Sequence, residues 1–407
     1  MMKRILFIDD DQERNGSTVS LEYLIQGFYE HDYEVYLLSC KINESASAVL
    51  RPYANVIDGR RWYLPNISLS VHFTFRSSCF SFQGLKNFLK DFVKFVFGFF
   101  IALRTIATVK PDIVYLNEYR VVQAAIAAKI LRVPTVTHVR SRFLEERFFV
   151  RRFLLAKAIL KYCDILIAIT SQEKLQFQPY CKNNMDKIIV VGEFVFIYQF
   201  NAVTVENVRR QYHLPDSKKI VLMLGGIRYL KGTMLFLKSA ELVSQSRNDV
   251  VFVVVGVSDI VYAEEDPQYY FHCKQIIERL MQNYGNAYTI GRVLNPMDLI
   301  TVSDIVISPY TEAHFSRPIV EAWGLNKPVI ATRTKYTIDL IEDNVDGILI
   351  DNDDFQGMAK AINTLLDDKK KQISMGKEGK KKVNQKYSYK KNVDRIVSIC
   401  NLQIKSR

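Results

Sequence analysis

Along the first half of the chain, short runs of β-branched and aromatic residues alternate with longer stretches of helical period. The pattern predicts strands at Arg4–Ile8, Glu34–Leu38, Asp112–Leu116, Thr135–His138, Ile165–Ile169 and Ile188–Val191. Helices are predicted between them, among them Val19–Glu30, Val121–Leu131 and Phe148–Tyr162. Strands that are apolar throughout, rather than on alternate residues, belong to parallel sheets covered on both faces. The pattern then restarts, with strands predicted at Ile220–Leu224, Val250–Val255, Tyr288–Ile290, Ile305–Ser308, Val329–Ala331 and Ile348–Ile350. The restart implies an α/β chain of two Rossmann-like, doubly wound domains, with a boundary near Glu193–Val203 and extents of 1–200 and 201–385. A Lys-rich helical tail, 386–407, follows the break at Tyr387-Ser388-Tyr389. No short-period repeat appears, which excludes a solenoid. Open parallel sheets bind ligands beyond the carboxyl ends of their strands, so the expected site is a cleft where the two domains face each other.

Composition narrows the partner. The 407 residues are 48% hydrophobic and 24% charged, which excludes a disordered or fibrous chain. Lys plus Arg number 55 against 43 for Asp plus Glu, a formal charge of +12. That excess favours an anionic partner: nucleic acid, a membrane surface or a phosphorylated small molecule. The six cysteines, Cys40, Cys79, Cys163, Cys181, Cys273 and Cys400, show no CxxC spacing. They imply neither a zinc site nor a disulfide framework, and they fit a reducing compartment. The apolar run in Met1–Asp9 is too short for a signal peptide, and the longest such run, Phe95–Leu103, falls well short of the ~20 residues that span a bilayer. The expectation is a cytoplasmic protein.

Chemistry concentrates at strand ends. The first βα turn, Asp9 to Ser17, holds one glycine, Gly16, and lacks the GxGxxG of dinucleotide binders. Asn15-Gly16-Ser17 reads, taken alone, as an ordinary turn rather than as a close-approach loop opening a helix. Two DxD pairs, Asp9/Asp11 and Asp351/Asp353, are too short a signal to assign a metal. The second domain opens more sharply, with strand Ile220–Leu224, then Gly225-Gly226-Ile227-Arg228-Tyr229-Leu230-Lys231-Gly232, then a helix. Small residues at a strand end beside a helix N-terminus, together with two cations, favour a diphosphate. Strand Ile305–Ser308 leads into Pro309-Tyr310-Thr311-Glu312-Ala313-His314-Phe315-Ser316-Arg317-Pro318-Ile319-Val320-Glu321-Ala322. Pro318 suits a first helical turn. Backbone amides at Phe315–Arg317 would face the cleft, and Glu321 could accept from a ribose diol or simply suit the helix dipole.

At these residues the chain resembles the retaining glycosyltransferases of family 4, also called group 1. The glycine loop, the P-Y-T-E-A-H-F-S-R-P-I-V-E-A run, Asn326-Lys327-Pro328-Val329-Ile330-Ala331-Thr332 and Asp346-Gly347-Ile348-Leu349-Ile350 carry the likeness. Pro111–Leu116, Val133–His138 and Asp164–Thr170 support it in the first half, while Pro65–Val109 lies outside it. The resemblance implies a GT-B fold, a nucleotide-sugar donor held by the second domain and an acceptor held by the first. It also implies retention at the anomeric carbon, no metal or other cofactor, and a tail crossing back to the first domain. It places Arg228 and Lys231 on the leaving diphosphate, Glu321 on ribose, Glu312 on the donor sugar if a loop shift brings it in, and His138 near the transferred sugar. Two positions depart from the family. Gly226 stands where Arg is usual, leaving Arg228 as substitute, and Glu312 and Glu321 are nine apart instead of eight, which puts Ala313 at the expected place.

His138 ends a predicted strand, and Arg140 and Arg142 follow it, facing an acceptor phosphate or water. Leu85–Val109 places Leu85, Leu89, Phe92, Val96, Phe99 and Leu103 at helical spacing with Lys86, Lys90 and Lys94 beside them. Phe73, Phe75, Phe80 and Phe82 lie upstream, and Arg147, Arg151, Arg152, Lys157 and Lys161 form a second basic helix. A Lys-edged apolar helix suits either an anionic membrane surface or a core with snorkelling lysines. The net charge tips the reading of 65–109 toward membrane association. No nucleic-acid-binding motif is present, so nucleic acid is not an expected partner. The expected activity is transfer of a sugar from a nucleotide sugar to a lipid-linked or polysaccharide acceptor, as in bacterial capsule or lipopolysaccharide synthesis. A sugar-nucleotide epimerase of the same fold and a non-catalytic binding protein are the alternatives.

Overall fold

The computed structural model describes residues 2–9, 16–40, 49–59, 69–71, 82–143, 150–181, 185–195, 205–258, 266–312 and 315–406. Asp11, Asn15, Phe73, Phe75, Phe80, Arg147, Ala313, His314 and most of the expected boundary lie outside them. The chain divides into two compact units, Met1–Phe194 with Tyr389–Arg407, and Val195–Ser388.

The first unit is built on β1 (Lys3–Ile8), β2 (Tyr33–Ser39), β3 (Asn55–Asp58), β4 (Ile113–Leu116), β5 (Thr135–Val139), β6 (Ile165–Ala168) and β7 (Ile188–Val190). They form one parallel sheet in the order β3-β2-β1-β4-β5-β6-β7. The longer helices here are α1 (Gly16–Glu30), α2 (Phe82–Val109), α3 (Val122–Ile130) and α4 (Val150–Tyr162). Side chains alternate faces along a strand. Leu6, Ile8, Val114 and Leu116 pack with Ile101, Ile106, Ala125 and Ile159 of the helices α2 to α4. Ile5, Phe7, Tyr115 and Val136 face the other way, with Leu24 and Phe28 of α1 and Ile396 and Cys400 of the C-terminal helix. β3, which the hydrophobic pattern did not mark, is a half-exposed edge strand and so carries no apolar run.

Helix α2 is divided along its length. Its second half is core, with Ile101, Ala102 and Ile106 at most 3% exposed. In the first half Phe82, Leu85, Leu89 and Phe92 are each more than half exposed. From Gly84 to Val109 the helix is long and apolar enough to cross a bilayer by length and composition, contrary to the expectation drawn from its uninterrupted apolar run. The buried second half belongs to this unit's core. Lys86 and Lys90 are exposed. Lys94 departs from the expected surface row, because its ammonium lies 3.5 Å from the buried carboxylate of Asp91.

The second unit holds β8 (Lys219–Leu224), α5 (Thr233–Ser244), β9 (Val250–Val255), α6 (Pro267–Tyr284), β10 (Ala287–Ile290), β11 (Ile305–Ser308), α7 (Arg317–Gly324), β12 (Val329–Thr332), β13 (Ile348–Ile350), α8 (Phe355–Asp367) and α9 (Lys369–Lys386). Its sheet is also parallel, in the order β10-β9-β8-β11-β12-β13. The final helix, α10 (Tyr389–Lys405), belongs to the first unit, where Val393 packs so closely on Gly27 of α1 that a Cβ there would collide with it.

Candidate functional site

In the second unit the strand order reverses between β8 and β11, and the loops after these neighbours diverge. A crevice opens at such a point in doubly wound sheets. The loop after β8 is tied down by the N–H groups of Gly225 and Gly226, which both donate to the Val255 carbonyl at the end of β9, at 3.0 and 2.8 Å. Gly225 and Gly226 have φ of +128° and +71°, backbone that side-chain-bearing residues rarely adopt. A Cβ on Gly225 would lie 3.0 Å from the Lys231 side chain. Thr233, at the start of α5, locks the loop from below, donating to the Gly226 carbonyl at 2.8 Å and accepting from the Arg228 N–H at 3.2 Å.

Lys231 and the loop after β11 meet. The Lys231 ammonium donates to the Tyr310 hydroxyl at 2.9 Å and lies 4.0 Å from that ring's centroid. Thr332 holds the Tyr310 carbonyl at 2.5 Å, and the Thr311 N–H donates to the Leu230 carbonyl at 3.2 Å. Gly232 closes the loop at φ +67°, where a Cβ would overlap the Pro309 carbonyl oxygen. Of the ammonium's three donors, this arrangement uses one. Arg228 is half-buried and precedes the 3-10 turn Tyr229–Lys231.

The Phe315–Arg317 segment opens α7 with Pro318 in its first turn. Phe315 and Ser316 are buried. The Ser316 hydroxyl meets that of Ser308, 2.6 Å away, instead of capping the helix. Glu321 is 7% exposed and accepts from Arg317 Nε at 2.6 Å, an ion pair one helical turn apart. The sequence gives no hint of this pairing beyond its i,i+4 spacing. Glu312 lies exposed in the loop after β11.

In the first unit the strand order reverses between β1 and β4. Asn117, just after β4, donates to Asp9 at 3.1 Å, while its carbonyl accepts from Arg140 Nε at 3.0 Å. Arg140 is 5% exposed and also forms a buried ion pair with Glu193. Here the sequence reading is corrected. Arg140 is not exposed to water, because its guanidinium is buried against Asn117, Glu193 and the ring of His138. His138, 1% exposed, places Nδ1 2.7 Å from the Tyr115 hydroxyl and 3.1 Å from Arg140 Nη2. Burial, aided by the neighbouring guanidinium, pushes the imidazole well below its ordinary pKa. Nearby, Glu118 accepts from the Ser141 hydroxyl and the Tyr119 N–H, both at 2.9 Å, and burial raises its carboxyl to about 7. Gly16 is the exposed first residue of α1. Among the described residues no three His, Cys, Asp or Glu side chains converge as a metal site would require.

Comparison with known proteins joins these features to a family. Residues 204–382 match the family model for glycosyl transferases, group 1. The capsular polysaccharide biosynthesis glycosyltransferase CapM of Staphylococcus aureus is 23% identical over 289 residues, covering 70% of this chain and 73% of its own. A UDP-Gal:alpha-D-GlcNAc-diphosphoundecaprenol alpha-1,3-galactosyltransferase of Escherichia coli is 24% identical, covering 70% and 74%. A D-inositol 3-phosphate glycosyltransferase of Corynebacterium urealyticum is 24% identical, with the chain spanning 63% of that relative's length. Among solved structures, Anabaena Alr3699/HepE in complex with UDP and glucose superposes with a TM-score of 0.76 at 18% identity, over 98% of this chain and 100% of that one. A glycosyltransferase from Rickettsia africae does so equally, at 17% identity over the whole of both chains. With two parallel-sheet units that superpose on these structures, the chain has the GT-B fold, and residues 204–382, which carry the glycine loop and α7, match the group 1 glycosyl transferases.

Proposed function

We propose that this enzyme transfers a hexose-like unit from a nucleotide sugar to a lipid-linked or polysaccharide acceptor, with retention of anomeric configuration. The observation that carries the reading is Lys231, anchored by Tyr310 on a glycine loop at the strand-order reversal and beside the start of α5. A cation there neutralises the leaving diphosphate, with Arg228 beside it and with Gly225 leaving room for Lys231. Glu321 takes the ribose, steadied by Arg317, and the Phe315–Arg317 backbone lies along the donor. Glu312 and Gly16 are held as weaker donor contacts. The resemblance assigns His138 to the transferred sugar. In this reading charge stabilisation replaces a carboxylate pair, which supports front-face transfer without a bound metal. The names of the similar capsular and undecaprenyl-linked enzymes support the acceptor class.

The exposed apolar start of α2, edged by Lys86 and Lys90, and the exposed Phe153 and Leu154 of α4 support a peripheral seat on an anionic bilayer, at the inner face of the cytoplasmic membrane. The deciding experiment incubates the enzyme with UDP-, GDP- and ADP-sugars, with and without undecaprenyl-diphosphate-linked glycans. Acceptor-dependent release of nucleotide, with an α-linked product from an α-donor, supports the proposal. Conversion of the nucleotide sugar alone into an epimer would replace it.

A further inference from the structure

Arg140 stands at the carboxyl edge of the first unit's sheet, held on one side by Asn117 and on another by Glu193, which also accepts from the Ser20 hydroxyl at 2.6 Å. A third nitrogen, Nη2, meets His138 Nδ1 at 3.1 Å. A guanidinium has only donors, so Nδ1 must accept, and a neutral imidazole that accepts at Nδ1 carries its proton at Nε2. Nε2 is buried and has no hydrogen-bond partner among the described residues. The Tyr115 hydroxyl, whose burial keeps it protonated, shares the same Nδ1 lone pair at 2.7 Å. The strand register sets Tyr115 opposite Val136, so period-two alternation brings His138 to the same face. Opposite His138 itself stands Ile167, which is apolar. The ring's hydrogen-bond partners are Tyr115 and Arg140, and Arg140 in turn holds Asn117 and Glu193, the latter bonded to Ser20.

We propose that Arg140 is a positioning residue that fixes His138 as the Nε2–H tautomer, so that the ring offers a hydrogen-bond donor and never a base. This rests on the proposed role of His138 at the transferred sugar and sharpens it. A donor suits a sugar hydroxyl or ring oxygen, whereas an acceptor nitrogen would take the proton of an attacking hydroxyl. Protonation of the ring would set a second N–H against the guanidinium, so the neutral form persists at working pH.

The test begins with the unaltered enzyme. Histidine-selective ¹⁵N spectra, assigned with His138→Gln, should show a pyridine-type Nδ1 and a pyrrole-type Nε2 for His138, unchanged between pH 6 and 8. A protonated Nδ1 overturns the inference without any variant. The variant Arg140→Met, and Arg140→Met with Glu193→Met to avoid a stranded carboxylate, should return a ring of mixed tautomers, still neutral because burial remains. Turnover of the sugar nucleotide identified by the panel above should then fall on the order of 100-fold in kcat with KM little changed, as expected when one preorganised donor is misplaced. A variant with the parent's spectrum and kcat would refute the role of Arg140. Full activity in His138→Gln would instead sink the functional reading on which the inference rests, and the spectrum would show which of the two had failed.

Discussion

Gly232 and Gly285 both sit at helix ends with left-handed backbone, φ +67° and +60°, yet replacement by alanine should cost very different amounts. At Gly285 a Cβ meets nothing within 4 Å, so Gly285→Ala bears only the left-handed penalty, about 1–2 kcal/mol. At Gly232 the same Cβ would overlap the Pro309 carbonyl oxygen and lie 2.7 Å from its carbon. Backbone cannot swing aside as a lysine tip can, so the loops after β8 and β11 must part. Forcing atoms into a packed site adds roughly 1–3 kcal/mol. The left-handed penalty and the change in unfolded-chain entropy are common to both variants and cancel. The difference, roughly 1–3 kcal/mol, therefore measures the close approach of the two loops. Trp323 is fully buried in the second unit, so its fluorescence in a Trp62→Phe background reports that unit's urea unfolding. At about 2–4 °C per kcal/mol, Gly232→Ala should also melt several degrees below Gly285→Ala. Equal midpoints would refute the reasoning, for they would mean that Pro309 does not press on Gly232.

Four further outcomes are expected. Lys86→Glu with Lys90→Glu should abolish flotation on anionic liposomes, since each lysine near such a surface is worth about 1 kcal/mol and each reversal counts twice; persistent flotation would remove α2 as the membrane contact. Ile106→Ala, at 1% exposure, should cost about 2–5 kcal/mol, while Leu89→Ala, at 54%, should leave stability within about 0.5 kcal/mol and weaken only lipid binding. Asp249 accepts from Arg247 at 2.8 Å, and that bond holds its carboxyl well below the usual range. A depressed pKa stabilises the fold above the unfolded value near ~3.9 and is lost as pH falls through the folded value. Because Asp249 is 42% exposed, Asp249→Asn should cost no more than about 1 kcal/mol at pH 6, and the deficit should shrink as the pH approaches 2. Finally, 10 mM EDTA should leave sugar transfer unchanged, and loss of turnover would show that the loop cations do not act alone.

The strands buried on both faces were legible because a run such as Val-Val-Phe-Val-Val-Val at β9 is short and almost wholly β-branched, which favours strand over helix. β3 was not, since Asn-Val-Ile-Asp at a half-exposed edge carries too little apolar signal. Helical spacing marked α2, but the division into an exposed first half and a core second half depends on packing against α3, which no local pattern reports. The same limit explains Lys94. Its place in a row of lysines was visible, while the buried Asp91 that holds it looked like any surface acid of an amphipathic helix. At the site, the glycine loop announced itself by composition, but the reason for Gly232 is a carbonyl 77 residues away. Arg140 read as a surface cation because Asn117 and Glu193, far from it in sequence, reach it only through the fold.

The central claim is that the second unit's loop cation holds a donor diphosphate. Isothermal titration with UDP measures it directly, comparing the unaltered enzyme with Lys231→Met, which keeps the side-chain length. Charge-assisted hydrogen bonds contribute about 1.5–3 kcal/mol, so the account predicts roughly 10- to 100-fold weaker binding at an unchanged melting temperature. UDP, GDP and ADP all failing to bind the unaltered enzyme, or UDP binding Lys231→Met as tightly as the parent, would contradict it.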